Sequence, residues 1–313
     1  MQKKWYYYRV YGLNIKSDIE IKEFVEINNH DSIQVTICYS EIPDRIINKF
    51  REGNVCDIND NDIWFNIENI AVYHVKDGNL INYNPYENVD FYYLKTFIEC
   101  TCLGFIMLQR NKIAIHGGTS VINYQAIIIT GEKGAGKSSL TTALREKGYK
   151  FISDDIAPIE FGDSIEVNPG FPYQKLCYDT AKKMEYNPDE FFSFMSDSEI
   201  KYLIPVFNDF QSKDTELASI FEIVKGNVDT VIIEEVKSSD KLANIIKNIY
   251  RGEFIGILGG MKPEYFKKCL NIAQKVKMYK IIRPYKGFTV DDQIRLIEEK
   301  VFTRGKNEII YKC

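Results

Sequence analysis

Residues 131 to 138 read Gly131-Glu132-Lys133-Gly134-Ala135-Gly136-Lys137-Ser138, a complete G-x-x-x-x-G-K-[ST] phosphate-binding pattern. The glycines let the backbone curl so that successive amides point at phosphate oxygens. Lys137 offers a point positive charge to the β- and γ-phosphates, and the Ser138 hydroxyl suits Mg²⁺. The pattern predicts ATP and Mg²⁺ as ligands, with Ser139 carrying the loop into its helix. The flanks agree. Ala126-Ile127-Ile128-Ile129-Thr130 is a short apolar, β-branched run that predicts a buried strand. Ser139 to Lys147 predicts a helix, with Gly148 as its stop. The N-terminus of that helix adds a dipole aimed at the anion. Strand, glycine loop and helix in this order decide for an α/β fold.

Outward from the loop, the first ninety residues are mostly β in character. Trp5 to Ile15, Ser32 to Tyr39, Asp62 to Ile67 and Ile70 to Val75 are short β-rich runs, broken by Gly12, Pro43 and Asn84-Pro85. Asp77-Gly78 predicts a hairpin turn. Phe91 to Leu108 predicts an apolar core helix, charged at Lys95 and Glu99. Two domains follow: a β-rich N-terminal domain over 1–90 and a catalytic domain over 91–313. Within the second, strands are expected at Ile113 to His116, Tyr149 to Ser153, Leu217 to Val224, Thr230 to Val236 and Lys277 to Arg283. Helices are expected at Lys241 to Tyr250 and Pro263 to Val276, and a last one capped by Thr289. Residues 185 to 215 form the least regular stretch, a candidate for a mobile lid.

Composition narrows the class. A chain of 313 residues, 45% hydrophobic and 27% charged, suits a globular protein with a sizeable core. A net charge of −4 provides no general attraction to nucleic acid or acidic membranes. Met1-Gln2-Lys3-Lys4 leads into Trp5-Tyr6-Tyr7-Tyr8 and not into the apolar segment of a secretion signal. No stretch reaches the ~20 apolar residues of a membrane span. Seven scattered cysteines without C-x-x-C, and three histidines (His30, His74, His116), point to a reduced, cytoplasmic chain without a zinc site. The expectation is no nucleic-acid or membrane partner, with homo-oligomerisation left open.

The next chemistry-bearing element is Phe151-Ile152-Ser153-Asp154-Asp155, an acidic strand end that begins 17 residues after Lys137 with its first aspartate. The spacing leaves room for one helix and one strand. No Asn-Lys-x-Asp guanine motif and no Leu-Ser-Gly-Gly signature occur, which weighs against GTPases and ABC transporters. Two adjacent carboxylates allow a division of labour, one holding the metal and the other accepting the proton of an attacking hydroxyl. His116 lies on the strand before the loop strand, followed by Gly117-Gly118. Neighbouring strands would bring its imidazole near the carboxylates, where it could tune their charge.

With Ile115-His116-Gly117, Gly131 to Ser139 and Ile152-Ser153-Asp154-Asp155 in this order, the chain resembles the HPr kinase/phosphorylase catalytic domain. Pro169-Gly170-Phe171-Pro172-Tyr173-Gln174-Lys175-Leu176 is similar to the Pro-Gly-aromatic-Pro element of HPr-kinase-like proteins from peptide-modification gene clusters. Tyr8-Arg9-Val10-Tyr11-Gly12-Leu13 is similar to their opening. The resemblance implies an ATP-dependent serine kinase whose substrate is a ribosomally made precursor peptide of the lasso-peptide type. It further implies Asp154 as base, Asp155 and Ser138 as Mg²⁺ ligands and His116 as support for Asp154, with the two Asp roles exchangeable. Lys175, where related proteins often place arginine, would face the phosphate as a point charge. A Glu-x-Arg-Gly-type segment is not found, which argues against HPr as acceptor and against the reverse phosphorolysis. Competing readings are a small-molecule or HPr-like protein kinase and a non-catalytic nucleotide-binding regulatory module. The regulatory reading would expect Lys137 or the Asp pair to be lost, and all three are present.

Overall fold

A computed structural model describes residues 4–28, 32–196 and 199–310; Met1 to Lys3 and His30 lie outside them. The chain divides into two compact units: Met1–Ile113 with Tyr250–Lys267, and Ala114–Ile249 with Lys268–Cys313.

The first unit carries β1 (Tyr6–Val10), β2 (Leu13–Ser17), β3 (Val25–Glu26), β4 (Val35–Tyr39), α1 (Asp44–Arg51), β5 (Cys56–Asn59), β6 (Asp62–Ile67), β7 (Ala71–Lys76), β8 (Leu80–Pro85), α2 (Phe91–Phe97) and α3 (Leu103–Gln109). Its eight strands lie in the order β3-β1-β2-β4-β8-β7-β6-β5. The predicted run from Trp5 to Ile15 is split by Tyr11-Gly12, both at positive φ, which turn β1 back onto β2. Asp77 and Gly78 take positive φ between β7 and β8, the predicted hairpin. A π turn, Ile98–Cys102, joins α2 to α3.

The division differs from the one expected after residue 90, for a packing reason. The α2–α3 segment is anchored on the sheet, where the Tyr73 hydroxyl donates to the Leu94 carbonyl (2.9 Å) and Phe65 meets Phe105 (6.0 Å between centroids). The Lys95 ammonium and Glu23 carboxylate pair at 2.9 Å in the interior. The same unit takes in 250–267, with Phe254 edge-on to Phe105 at 5.1 Å. Phe91–Gln109 is 19 residues long and contains an 18-residue stretch of mean hydropathy 1.3, 61% of which is buried. It meets the length and apolarity of a membrane span, which the sequence alone did not suggest. A buried core helix meets the same test.

The second unit carries β9 (Ala114–Ile122), β10 (Gln125–Gly131), α4 (Lys137–Glu146), β11 (Lys150–Ser153), β12 (Ile156–Phe161), β13 (Ile165–Val167), β14 (Tyr173–Cys177), α5 (Tyr178–Lys183), β15 (Ser193–Ser196), β16 (Glu199–Pro205), β17 (Thr215–Gly226), β18 (Ile232–Glu235), α6 (Ser238–Lys247), α7 (Pro263–Lys275), β19 (Lys277–Pro284) and α8 (Val290–Ile310); the division between the units falls inside α7. The architecture is mixed α/β. β10 and β19 both run parallel to β17, while β9 is antiparallel to β10, β11 and β12. With β13 bridging β12 and β17, the pairings close a ring through β10, β9, β12, β13 and β17. β10 is buried at every residue but Gln125, as its apolar composition requires for a strand covered on both faces. Ile127, Ile129, Leu140, Leu144, Phe221 and Ile297 belong to one core.

Residues 185–215 are more regular than their sequence suggests. β14, β16 and β15 form a separate three-stranded sheet over a small core that includes Phe151, Leu176, Ile204 and Val206. Residues 197 and 198 of this stretch lie outside the described residues.

Candidate functional site

The loop after β10 is shaped by close approach and by backbone sign. Gly131 has φ +139°, and a Cβ there would lie 2.5 Å from the Ile223 carbonyl oxygen of β17, so no side chain fits. Gly136 takes the left-handed conformation at φ +115° and begins α4 with no side-chain cap. The first helical hydrogen bond runs from Leu140 N to Gly136 O (3.0 Å). Helix geometry therefore leaves the amides before Leu140 directed into the loop, where an anion can accept from them. The first turn is tied down from inside. Thr142 donates its hydroxyl to the Ser138 carbonyl (2.7 Å) and Thr141 to the Lys137 carbonyl (2.9 Å).

Lys137 folds back over the loop, donating to the carbonyls of Gly131 (2.8 Å) and Glu132 (3.2 Å). Burial lowers its pKa, while Asp155 and Asp154 pull it upward. Its ammonium thus feels both carboxylates of the predicted pair. Glu132, Lys133 and Gly134 are exposed, Ala135 is buried and Gly136 to Ser139 are partly buried. The Ser139 hydroxyl lies 3.3 Å from that of Thr180 on α5.

Asp154 and Asp155 make the sharp turn between β11 and β12. Asp155 has φ +56°, a conformation that aspartate tolerates better than most residues. The pair is met by Lys175 of β14 in two ways. Its amide donates to Asp154 Oδ2 (2.8 Å), and its buried ammonium lies 3.4 Å from Asp155 Oδ2. The Pro169–Pro172 element explains the delivery: Gly170 N bonds to Ile152 O (3.0 Å) and Val206 N to Pro172 O (2.8 Å). These bonds steer the chain past the end of β11 and into β14.

The two carboxylates are electrostatically unequal. Burial, then the neighbouring Asp155 charge, raises the Asp154 pKa, against the pull of Lys175 and Lys201. For Asp155 burial also acts upward, but Lys175, Lys201 and His116 outweigh it and hold the carboxyl below its usual range. Asp155 is the more open, with 26% of its side chain exposed. The surroundings therefore favour the neutral form of Asp154 and the ionised form of Asp155.

His116 is brought to this turn by the pairing of β9 with β12. It is in register with Ile156, its neighbour Gly117 donates its amide to the Asp155 carbonyl (3.1 Å), and its charge bears on Asp155. Two glycines after it have steric causes: a Cβ on Gly117 would meet the Ile129 carbonyl oxygen at 2.3 Å, and one on Gly118 the Thr141 methyl at 2.6 Å.

Several residues around the loop carry no sequence motif. Arg283 of β19 donates its Nε to the Ala135 carbonyl (2.8 Å), and Lys225 of β17, its register partner, places its ammonium 3.9 Å from where a Gly134 Cβ would sit. Lys247 bridges Glu132 and the buried Glu222 (3.3 and 3.4 Å). Lys201 of β16 adds its field to Asp154, Asp155 and Lys137. The parallel pairing of β17 with β19 brings Lys225 and Arg283 here, α6 brings Lys247, and the small sheet brings Lys201.

The donor set suits a hard divalent cation bound largely by phosphate and water. No group of three or more His, Cys, Asp or Glu side chains gathers into a metal cage among the described residues. Mg²⁺ in nucleotide sites typically takes one or two protein oxygens. An ionised Asp155 and the Ser138 hydroxyl are of that kind.

Compared with known proteins, the chain matches no family model and no curated protein. Among solved structures, the Hpr(Ser) kinase/phosphatase from Coxiella burnetii is similar to it at 15% identity and a TM-score of 0.36, over 64% of this chain and 94% of that one. A likeness of that size identifies no family and carries no argument, so the functional reading rests on the chain's own residues.

Proposed function

We propose that this protein is an ATP- and Mg²⁺-dependent kinase that transfers the γ-phosphoryl group to a hydroxyl, with a serine of a ribosomally made precursor peptide as the first acceptor to test. The observation that carries the reading is a phosphate-binding loop whose lysine lies in the field of an adjacent carboxylate pair, one carboxylate held by the Lys175 amide and the other by the Lys175 ammonium. A nucleotide-binding module without chemistry needs the loop and a metal ligand. It does not need a second, buried carboxyl whose proton affinity is pushed up beside them.

Residues 131 to 139 would cradle the phosphates, with the α4 N-terminus and Lys137 supplying positive charge. Ser138 and Asp155 would hold Mg²⁺, which when bound neutralises charge on the phosphates as transfer proceeds. Asp154 accepts the proton of the incoming hydroxyl. The hydroxyl oxygen bonds to the γ-phosphorus, the bond from that phosphorus to the bridging oxygen breaks, and ADP leaves. A pKa raised towards neutrality is what a general base at ordinary pH requires. The Lys175 amide fixes the carboxylate's orientation from behind.

The test is mass spectrometry after incubating the protein with ATP, Mg²⁺ and either a precursor-type peptide with a C-terminal serine or the carrier protein HPr. A phosphate on the peptide supports the reading, and phosphate on HPr but not on the peptide moves the acceptor to a folded carrier. ATP consumption with neither modified points to a small-molecule hydroxyl. No nucleotide binding at all overturns the kinase reading.

A further inference from the structure

The β15–β16 hairpin brings a cation to the site that no motif marks. β14 and β16 are antiparallel, with Lys175 opposite Leu203 and Cys177 opposite Lys201. Side chains alternate across a strand, so Lys175, Cys177, Lys201 and Leu203 share one face. Lys201 is the diagonal neighbour of Lys175, a separation that long side chains span readily. That face looks onto the acidic turn, because Lys175 touches Asp154 through its amide and Asp155 through its ammonium.

Resting on the kinase reading above, we propose that Lys201 is a second γ-phosphate-binding cation of this site, reaching from the β15–β16 hairpin past the Asp154–Asp155 turn toward the side that Lys137 occupies. Its field is felt by Asp154, Asp155 and Lys137, which sit on two separate segments of the chain. The two lysines of the small sheet are not equivalent. Lys175 is buried and committed to Asp155. Lys201 is half-buried, with a long stem that can follow a ligand. The charge balance also calls for an anion. Three ammonium groups (Lys137, Lys175 and Lys201) surround two carboxylates. A γ-phosphoryl group carries the negative charge that such a surplus stabilises, and an oriented cation at that position acts most strongly where charge moves during transfer.

The experiment compares full-length wild type with Lys201→Met and Lys201→Arg. Each is titrated calorimetrically with ADP and with a non-hydrolysable β,γ-imido analogue of ATP, both in the presence of Mg²⁺. Thermal melting confirms that each variant is folded. Methionine keeps the stem and removes the charge. Lys201→Met is expected to bind ADP within about twofold of wild type but to lose roughly tenfold or more for the analogue, the scale of one charge-assisted contact. Lys201→Arg should recover most of that loss. Equal loss for ADP and the analogue would mark a structural role and overturn the assignment, as would unchanged binding of the analogue. Wild type that binds neither nucleotide sinks the kinase reading itself, whereas normal analogue binding by Lys201→Met sinks the Lys201 assignment alone.

Discussion

Two adjacent carboxylates in a partly closed site do not share one charge state, and at Asp154–Asp155 the environment decides which yields. Asp154 is buried and is pushed to about 7 by burial and by its neighbour. Asp155 has Lys175, Lys201 and His116 to overcome the same burial and is held at about 2. Phosphoryl transfer should therefore rise with pH through about 7, as Asp154 loses its proton, in a pH–rate profile at saturating ATP. Asp154→Asn should keep Mg²⁺-dependent nucleotide binding and lose roughly a hundred- to ten-thousandfold in transfer, the range for a general base. Asp155→Asn should instead weaken Mg²⁺-dependent binding; calorimetry with and without Mg²⁺ separates the two, and the opposite pattern would exchange their roles. The same groups have opposite linkage to stability. The raised Asp154 pKa contributes stability that is full below the unfolded value of 3.8 and is lost as pH rises through about 7. The lowered Asp155 pKa contributes stability present above 3.8 and lost as pH falls through about 2. Asp154→Asn should accordingly melt higher than wild type at pH 8, by at least about 1 kcal/mol given that one pKa unit is about 1.4 kcal/mol. That gain should shrink at pH 5. A variant less stable than wild type at pH 8 would contradict the buried-charge account.

At the scale of elements, β10, its loop and α4 form a local unit, and local units are readable. An apolar β-branched run, glycines that permit positive φ and a helix ended by Gly148 (φ +95°) each leave a mark in their own few residues. β6 spans Asp62–Ile67 as expected. At the start of α8 the Gln293 backbone amide donates to the Thr289 carbonyl (3.1 Å) and the Gln293 side-chain amide to the Thr289 hydroxyl (3.1 Å), so Thr289 marks the helix start as expected. What could not be read was set by distant partners. β16 follows a stretch broken by Pro188 and Asp189, and its Tyr202 and Ile204 make sense only over the small core with Phe151 and Leu176. Lys201, Lys225 and Arg283 likewise have nothing beside them in sequence to mark them, because β16, β17 and β19 are brought in by non-local pairing. Gly118 shows the same limit in the other direction: a plain glycine in sequence, it is the point where α4 approaches β9. Gly118→Ala would set a Cβ 2.6 Å from the Thr141 methyl, and Thr141 braces the first turn of α4 through the Lys137 carbonyl. It should cost about 1–3 kcal/mol, the usual range for overpacking, and weaken ATP binding in proportion to any shift of that turn. Denaturant unfolding and nucleotide titration of one variant check both, and a Gly118→Ala protein as stable as wild type would show that the helix can yield.

For the whole molecule, the chain's order along the sequence and its division in space disagree, and that disagreement is testable. The second unit, with the loop and the acidic pair, begins at Ala114, but residues 250–267 leave it and complete the first unit. There the Arg251 guanidinium donates to the Thr101 hydroxyl (2.8 Å), Lys262 pairs with Asp60 (2.8 Å) and Tyr250 fills the space that a Cβ on Gly104 would invade at 2.6 Å. A cut after residue 90, which composition alone suggests, would strip α2 and α3 from the sheet that buries Leu94, Ile98 and Phe105. A cut after Ile113 would leave Tyr250–Lys267 without partners inside an otherwise complete second unit. Both fragments, 91–313 and 114–313, should express poorly or aggregate. The apolar surface each exposes has no counterpart in its own chain, and exposed contiguous apolar surface favours association. Co-expression of 1–113 with 114–313 should recover soluble material, because every contact of the first unit is then available again. Solubility, melting temperature and ATP titration of the three preparations form the test. A 91–313 fragment that is soluble, melts with the full-length protein and binds ATP as tightly would show that the first unit contributes nothing to the second beyond a covalent link, and would favour the sequence-derived boundary over the structural one.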